Sequence, residues 1–147
     1  MSTYVPLISS SVAGPLGVLH LPRLWLKSSL AAAGKLAPGY PGCGKGYDSM
    51  VVSALGLNEA STLAFIRDSK PTYPQFEAWI KAQPGVNLTP GNIHKLNVSI
   101  AGYIHTDDVR KCILAANGLP DDGSVLPDAI SLNNLDDWYE FHQAVLK

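Results

Sequence analysis

Apolar residues recur at intervals of three and four along almost the whole chain, and that period belongs to helices. Residues 1 to 17 break the pattern: they form a proline- and serine-bearing arm expected to be irregular. The first helix is predicted near 20 to 34, with Pro22 in the first turn, where its missing N–H costs nothing, and Gly34 as the stop. Asp48 is placed to cap a short helix from Ser49 to Leu55 that ends at Gly56, and Asn58 to cap another containing Leu63, Phe65 and Ile66. Thr72 and Gln75 have capping-box spacing ahead of Phe76, Trp79 and Ile80, and Pro84-Gly85 closes that segment. Thr89-Pro90 opens a helix with Ile93, Leu96, Ile100 and Ile104 in step. Thr106 caps the next, which carries Val109, Cys112, Ile113 and Ala116 as its apolar stripe and ends at Asn117-Gly118. A loop over 118 to 132 precedes the last helix, whose stripe is Leu135, Trp138, His142 and Val145. No sustained alternation argues for a sheet, although short strands over 4 to 9 or 125 to 131 stay open. The pattern predicts an all-α fold, one domain over 1 to 147 with about six or seven helices.

Composition narrows the class. A chain of 147 residues that is 46% hydrophobic and 16% charged lies far from the disordered regime. That length buries roughly two-thirds of the unfolded surface without staples. No apolar run approaches the roughly 20 residues that a bilayer demands. The start lacks the basic and apolar regions of a secretory signal, and Cys43 and Cys112 make no disulfide framework, so a cytoplasmic protein is expected. The sequons at Asn87 and Asn97 then carry no weight.

Charge is uneven in a way the formal net of −1 conceals. Residues 1 to 47 carry Arg23, Lys27, Lys35 and Lys45 and no acid, whereas the acids gather in the last third. Cations so sparse, with no dense basic stripe and no aromatic RNA-binding motif, exclude nucleic acid as a partner. The acids of the last third either complement helix N-termini, as at Asp107-Asp108 and Asp136-Asp137, or dock on the basic opening helix. At ~100° per residue, Arg23 and Lys27 share one stripe of that helix while apolar residues occupy the other faces. Two cations on a buried helix need partners. A carboxylate from Asp48 or the last helix, an external anion, or escape of the side chains to solvent would each serve.

The loop Tyr40-Pro41-Gly42-Cys43-Gly44-Lys45-Gly46 is the other candidate for chemistry. Gly39 to Lys45 reads like the start of a phosphate-binding P-loop, but Gly46 stands where Ser or Thr must hold magnesium, and a helix rather than a strand precedes it. Nucleotide hydrolysis is set aside, and no cofactor is implied. Cys43, in an electropositive loop, is a candidate thiol nucleophile of lowered pKa or else a small buried residue. His142, one turn beyond Trp138, is a candidate base or a packed core histidine. Trp25, Trp79 and Trp138 line a cavity or fill the core. His20, His94, His105 and His142 stand at no metal-ligand spacing, so no metal is expected.

The order His20-Leu21-Pro22-Arg23, Lys27, Gly39-Tyr40, Cys43-Gly44, Asp48 and Leu55-Gly56 resembles the bacterial family of domains of unknown function numbered 5069. The likeness extends through Phe65, Trp79-Ile80 and Asn97 to the tail Leu132-Asn133-Asn134-Leu135-Asp136-Asp137-Trp138 with His142. Many members carry an isoleucine-aspartate pair before the lysine; Trp25-Leu26 stands there in this chain, without the carboxylate. The resemblance implies no activity, only that Arg23, Lys27, Tyr40, Cys43 and Asp48 sit together. The expectation is a pocket where the opening helix, the glycine loop and the last helix meet. In it Arg23, Lys27, Tyr40 and Trp138 hold a small anionic molecule, with Cys43, Asp48 and His142 as candidates for catalysis. The alternative is an interaction or structural module with the cations paired internally; a homodimer is compatible with either.

Overall fold

Local signals place most of the helix ends. The computed structural model describes residues 2–147. Its helices are α1 (Leu21–Ala32), α2 (Tyr47–Leu55), α3 (Glu59–Ser69), α4 (Tyr73–Lys81), α5 (Pro90–Ala101), α6 (Asp107–Ala116) and α7 (Ala129–Phe141), the last running into a π-helical turn, His142–Leu146. The fold is all-α. Among the described residues there is no strand, and the segments 4 to 9 and 125 to 131 contribute only single bridges, Tyr4 with Leu36 and Asp128 with Ile104. Asn58 accepts from the Ser61 N–H at 2.8 Å, and Thr72 and Gln75 close a reciprocal capping box. Asp128 caps α7 through the Ser131 N–H at 2.9 Å. Each such cap is worth about 1 kcal/mol. Gly56 ends α2 at φ +75, and a Cβ there would lie 2.7 Å from the Gly85 carbonyl oxygen, so both backbone and neighbour require glycine.

The central helix is α1, packed against α2, α3 and α4, while α2 lies on α5 and α7 closes over α5 and α6. Leu21 and Leu24 meet Val51, Leu55, Ile66, Phe76, Ile80 and Ile100 in one buried cluster. A smaller cluster of Ile113, Leu114 and Leu132 joins α6 to α7. The arm is irregular but fixed: Tyr4 exchanges backbone bonds with Lys35 and Ala37, and Val18 is fully buried.

Three helices depart from expectation, two in their apolar face and one in its start. In α6 the buried residues are Ile113 and Leu114, and Cys112 is exposed rather than core. In α7 the inward residues are Ala129, Leu132 and Asp137, so the stripe of Trp138, His142 and Val145 faces outward. The phase of α7 follows the buried charge on Asp137, which has a partner only inside. Finally, α2 starts at Tyr47 with Gly46 as N-cap and no capping side chain, because the Asp48 carboxylate is engaged elsewhere.

Candidate functional site

One face of α1 carries His20, Arg23 and Lys27, all buried. His20 is the N-cap residue at φ 71, left-handed backbone that a non-glycine residue adopts only when its surroundings hold it there. Those surroundings are polar. The Asp48 carboxylate accepts from His20 Nε2 at 2.6 Å, from Lys27 Nζ at 2.6 Å and from the Gly44 N–H at 2.7 Å. With Nε2 donating, the neutral ring leaves Nδ1 to accept from the Ser10 hydroxyl at 2.8 Å. Burial lowers the His20 pKa despite the neighbouring carboxylate, which keeps the ring neutral. Burial alone would raise Asp48, but the His20 hydrogen bond, the Lys27 charge and the Gly44 N–H hold it at about 2. Asp48 is thus a fixed counter-ion at neutral pH and a poor proton carrier. Ser10, His20 and Asp48 have the composition of a hydrolase triad, yet Ser10 is 1% exposed, behind the imidazole, where no substrate reaches it.

The second cation is held from three directions. Arg23 donates to both oxygens of Asp137, at 2.6 and 3.0 Å, and to the carbonyls of Pro6 and Ile8 at 2.7 and 2.9 Å. Tyr40 donates its hydroxyl to Asp137 Oδ1 at 2.9 Å, and burial together with that carboxylate pushes the phenol pKa up. Both cations therefore have internal partners, one from the glycine loop's end and one from the last helix. Neither escapes to solvent. The acidic last third does dock on the opening helix.

Beside this network lies a cavity of about 320 Å³ between α1, the 39–48 loop, α7 and the 103–105 segment. Arg23 and Lys27 line it, as do Tyr40 and Asp48. Lys45 lines it too, exposed and without an ion pair among the described residues. The uncapped N-terminus of α2 opens on the same space at Gly46 and Tyr47. On the opposite wall, His105 Nε2 donates to Asn133 Oδ1 at 2.8 Å. Asp136 completes that wall, its pKa raised by burial and by the charges of Glu140 and Asp137. His105, Asn133 and Asp136 are site residues that the periodicity did not single out. The signal available was that Asn133, Asp136 and Asp137 share the Leu132 face of the last helix at three- and four-residue spacing.

Three candidates fall outside the cavity. Trp138 is 61% exposed and His142 is exposed, both on the far side of α7 for the reason given above. Cys43 lies in the loop but faces α3, where its thiol donates to Glu59 Oε1 at 3.1 Å. Burial, that hydrogen bond and the Asp48 charge push its pKa up to about 12, which overturns the expectation of an acidified nucleophile. Among the described residues, no group of three or more His, Cys, Asp or Glu side chains is arranged to hold a metal, and no single helix is long and apolar enough to cross a membrane. Neither a family model nor a curated protein matches this chain.

Proposed function

We propose that the cavity between α1, the glycine loop and α7 binds a small anionic molecule. One observation carries the reading: the Lys27 ammonium, with its side chain 8% exposed, has three N–H donors and a single protein acceptor, Asp48. The unspent donors of a buried cation call for ligand oxygens. Lys45 at the mouth and the free N–H groups of the α2 terminus add positive potential on the same side. His105 and Asn133 opposite supply polar groups that fit hydroxyls of the same ligand, so a polar anion such as a hydroxy acid or sugar phosphate suits the space best. We assign the protein to the cytoplasm on its two free thiols.

The test is thermal shift with inorganic phosphate, hydroxy acids and sugar phosphates. A ligand at a hundred times its Kd stabilises by about 2.7 kcal/mol, and Lys45→Ala, which leaves the folded core untouched, should weaken that ligand several-fold. No shift with any of these anions would overturn the reading. A second function, self-association, is favoured by the exposed apolar side chains of Trp138 in α7 and of Val145 and Leu146 in the turn that continues it. Sedimentation of wild type against Trp138→Ser tests it.

A further inference from the structure

The side of α1 that turns away from Arg23 and Lys27 has its own cavity. At ~100° per residue, Trp25, Ser29 and Ala32 lie roughly opposite that cationic stripe, and they border a space of about 550 Å³ between α1 and the end of α3. That exceeds the volume of the first cavity and lies within the range of small-molecule sites, about 300–1,000 Å³. The geometry points to a second, independent ligand site there, for a molecule with an aromatic body and one anionic group.

The apolar part comes from the Trp25 indole, Ile66 and Pro71. The indole is fixed in place: its Nε1–H donates to the Pro71 carbonyl at 3.0 Å, and Tyr73 meets it in a T-shaped contact with ring centroids 5.8 Å apart. A ring so fixed offers a preformed apolar surface to the cavity. Three cations ring the opening: Lys35 after α1, Arg67 in the last turn of α3, and Lys70. Only Arg67 has an acid, its exposed neighbour Asp68; Lys35 and Lys70 form no ion pair among the described residues. Lys70 also occupies the left-handed C-cap of α3 at φ 47, a position where glycine or asparagine is usual. Cations at two helix C-termini would complement the dipoles of α1 and α3. That explanation accounts for their sign, but not for the cavity they border. Unpaired cations and a fixed aromatic surface on one cavity belong together in one site.

The full chain is tested with 2-naphthoate as probe, by following the Trp25 indole N–H in proton–nitrogen correlation spectra, with Trp25→Phe to identify the signal. Saturable displacement of that signal is the expected result. The Lys35→Ala/Lys70→Ala variant, both residues being exposed, should bind roughly five- to thirtyfold more weakly at low salt, while keeping the helical circular dichroism of wild type. Lys45→Ala, in the other cavity, should bind the probe like wild type, which separates this site from the first. An unmoved Trp25 signal overturns the proposal. Equal affinity for neutral 2-naphthalenemethanol, or unchanged affinity in the double variant, overturns it as well, because the cations then play no part.

Discussion

Asp137→Asn preserves shape and removes one negative charge, and its cost follows from the burial of the pair. The Arg23 and Asp137 side chains are 6% and 4% exposed, and once the charge is gone the guanidinium has only neutral acceptors left, the new amide oxygen and the Pro6 and Ile8 carbonyls. Breaking a buried pair by removing one partner costs about 3–5 kcal/mol, most of it for the charge left behind. Net stability for a chain of this kind is on the order of 5–15 kcal/mol. At roughly 2–4 °C per kcal/mol for this size, the melting temperature should fall by about 6–20 °C. Urea denaturation at pH 7 measures the same loss as a lower midpoint with an unchanged slope. Removing both charges together, in Arg23→Met/Asp137→Leu, should cost less than the sum of the two single changes by about 2 kcal/mol, because no lone charge is then buried. A loss under about 1 kcal/mol for Asp137→Asn, or strict additivity in the double variant, would refute the account.

Other perturbations have definite signs. Asp48 has its pKa depressed from 3.8 to about 2, so its contribution is complete above pH 4 and is lost as the pH falls through 2; it amounts to about 2 kcal/mol. His20, lowered from 6.5, adds to the same acid sensitivity: its neutral form is favoured by folding, so stability begins to decline below pH 6.5. Acid titration of His20→Gln should lack that upper part of the slope. Asp136→Asn should raise the melting temperature at pH 7, with the gain disappearing at pH 3, since the raised pKa of Asp136 marks an acid that folding prefers protonated. Alkylation by iodoacetamide at neutral pH should label exposed Cys112 and leave Cys43 far slower than a free thiol. Equal rates would contradict the thiol environment described above.

What could be read in advance was what is decided locally. Asn58 and Thr72 with Gln75 cap the helices they were expected to cap and Thr89-Pro90 opens the one it was expected to open, because these signals involve residues three positions apart; Thr106 stands at the N-cap of α6 as expected but makes no capping bond with its side chain. The pairing of Lys27 with Asp48 was among the open alternatives, since both lie close to the glycine loop. The orientation of α7 was not legible. Its apolar moment pointed toward Trp138 and His142, and the opposing preference came from a guanidinium far away in sequence that needed Asp137 inside. Cys43 departs from its expected environment on similar grounds: Lys27 is spent on Asp48, Lys45 is turned to the cavity mouth, and the residue that meets the thiol is Glu59, in the next helix. His105 reaches the site from a connection between helices, with no pattern of its own.

The Arg23 clamp joins segments made at very different times. Its carbonyl partners, Pro6 and Ile8, precede it, whereas its carboxylate comes 114 positions later. While the ribosome is still making α5 and α6, the opening helix has its apolar neighbours but an unmatched guanidinium, so the nascent chain has every reason to stay open. Completion of the fold waits for the last helix to emerge. The Arg23 clamp therefore closes only once α7 has been made, and growing chains stalled before residue 137 should be the form more exposed to chaperones and proteases.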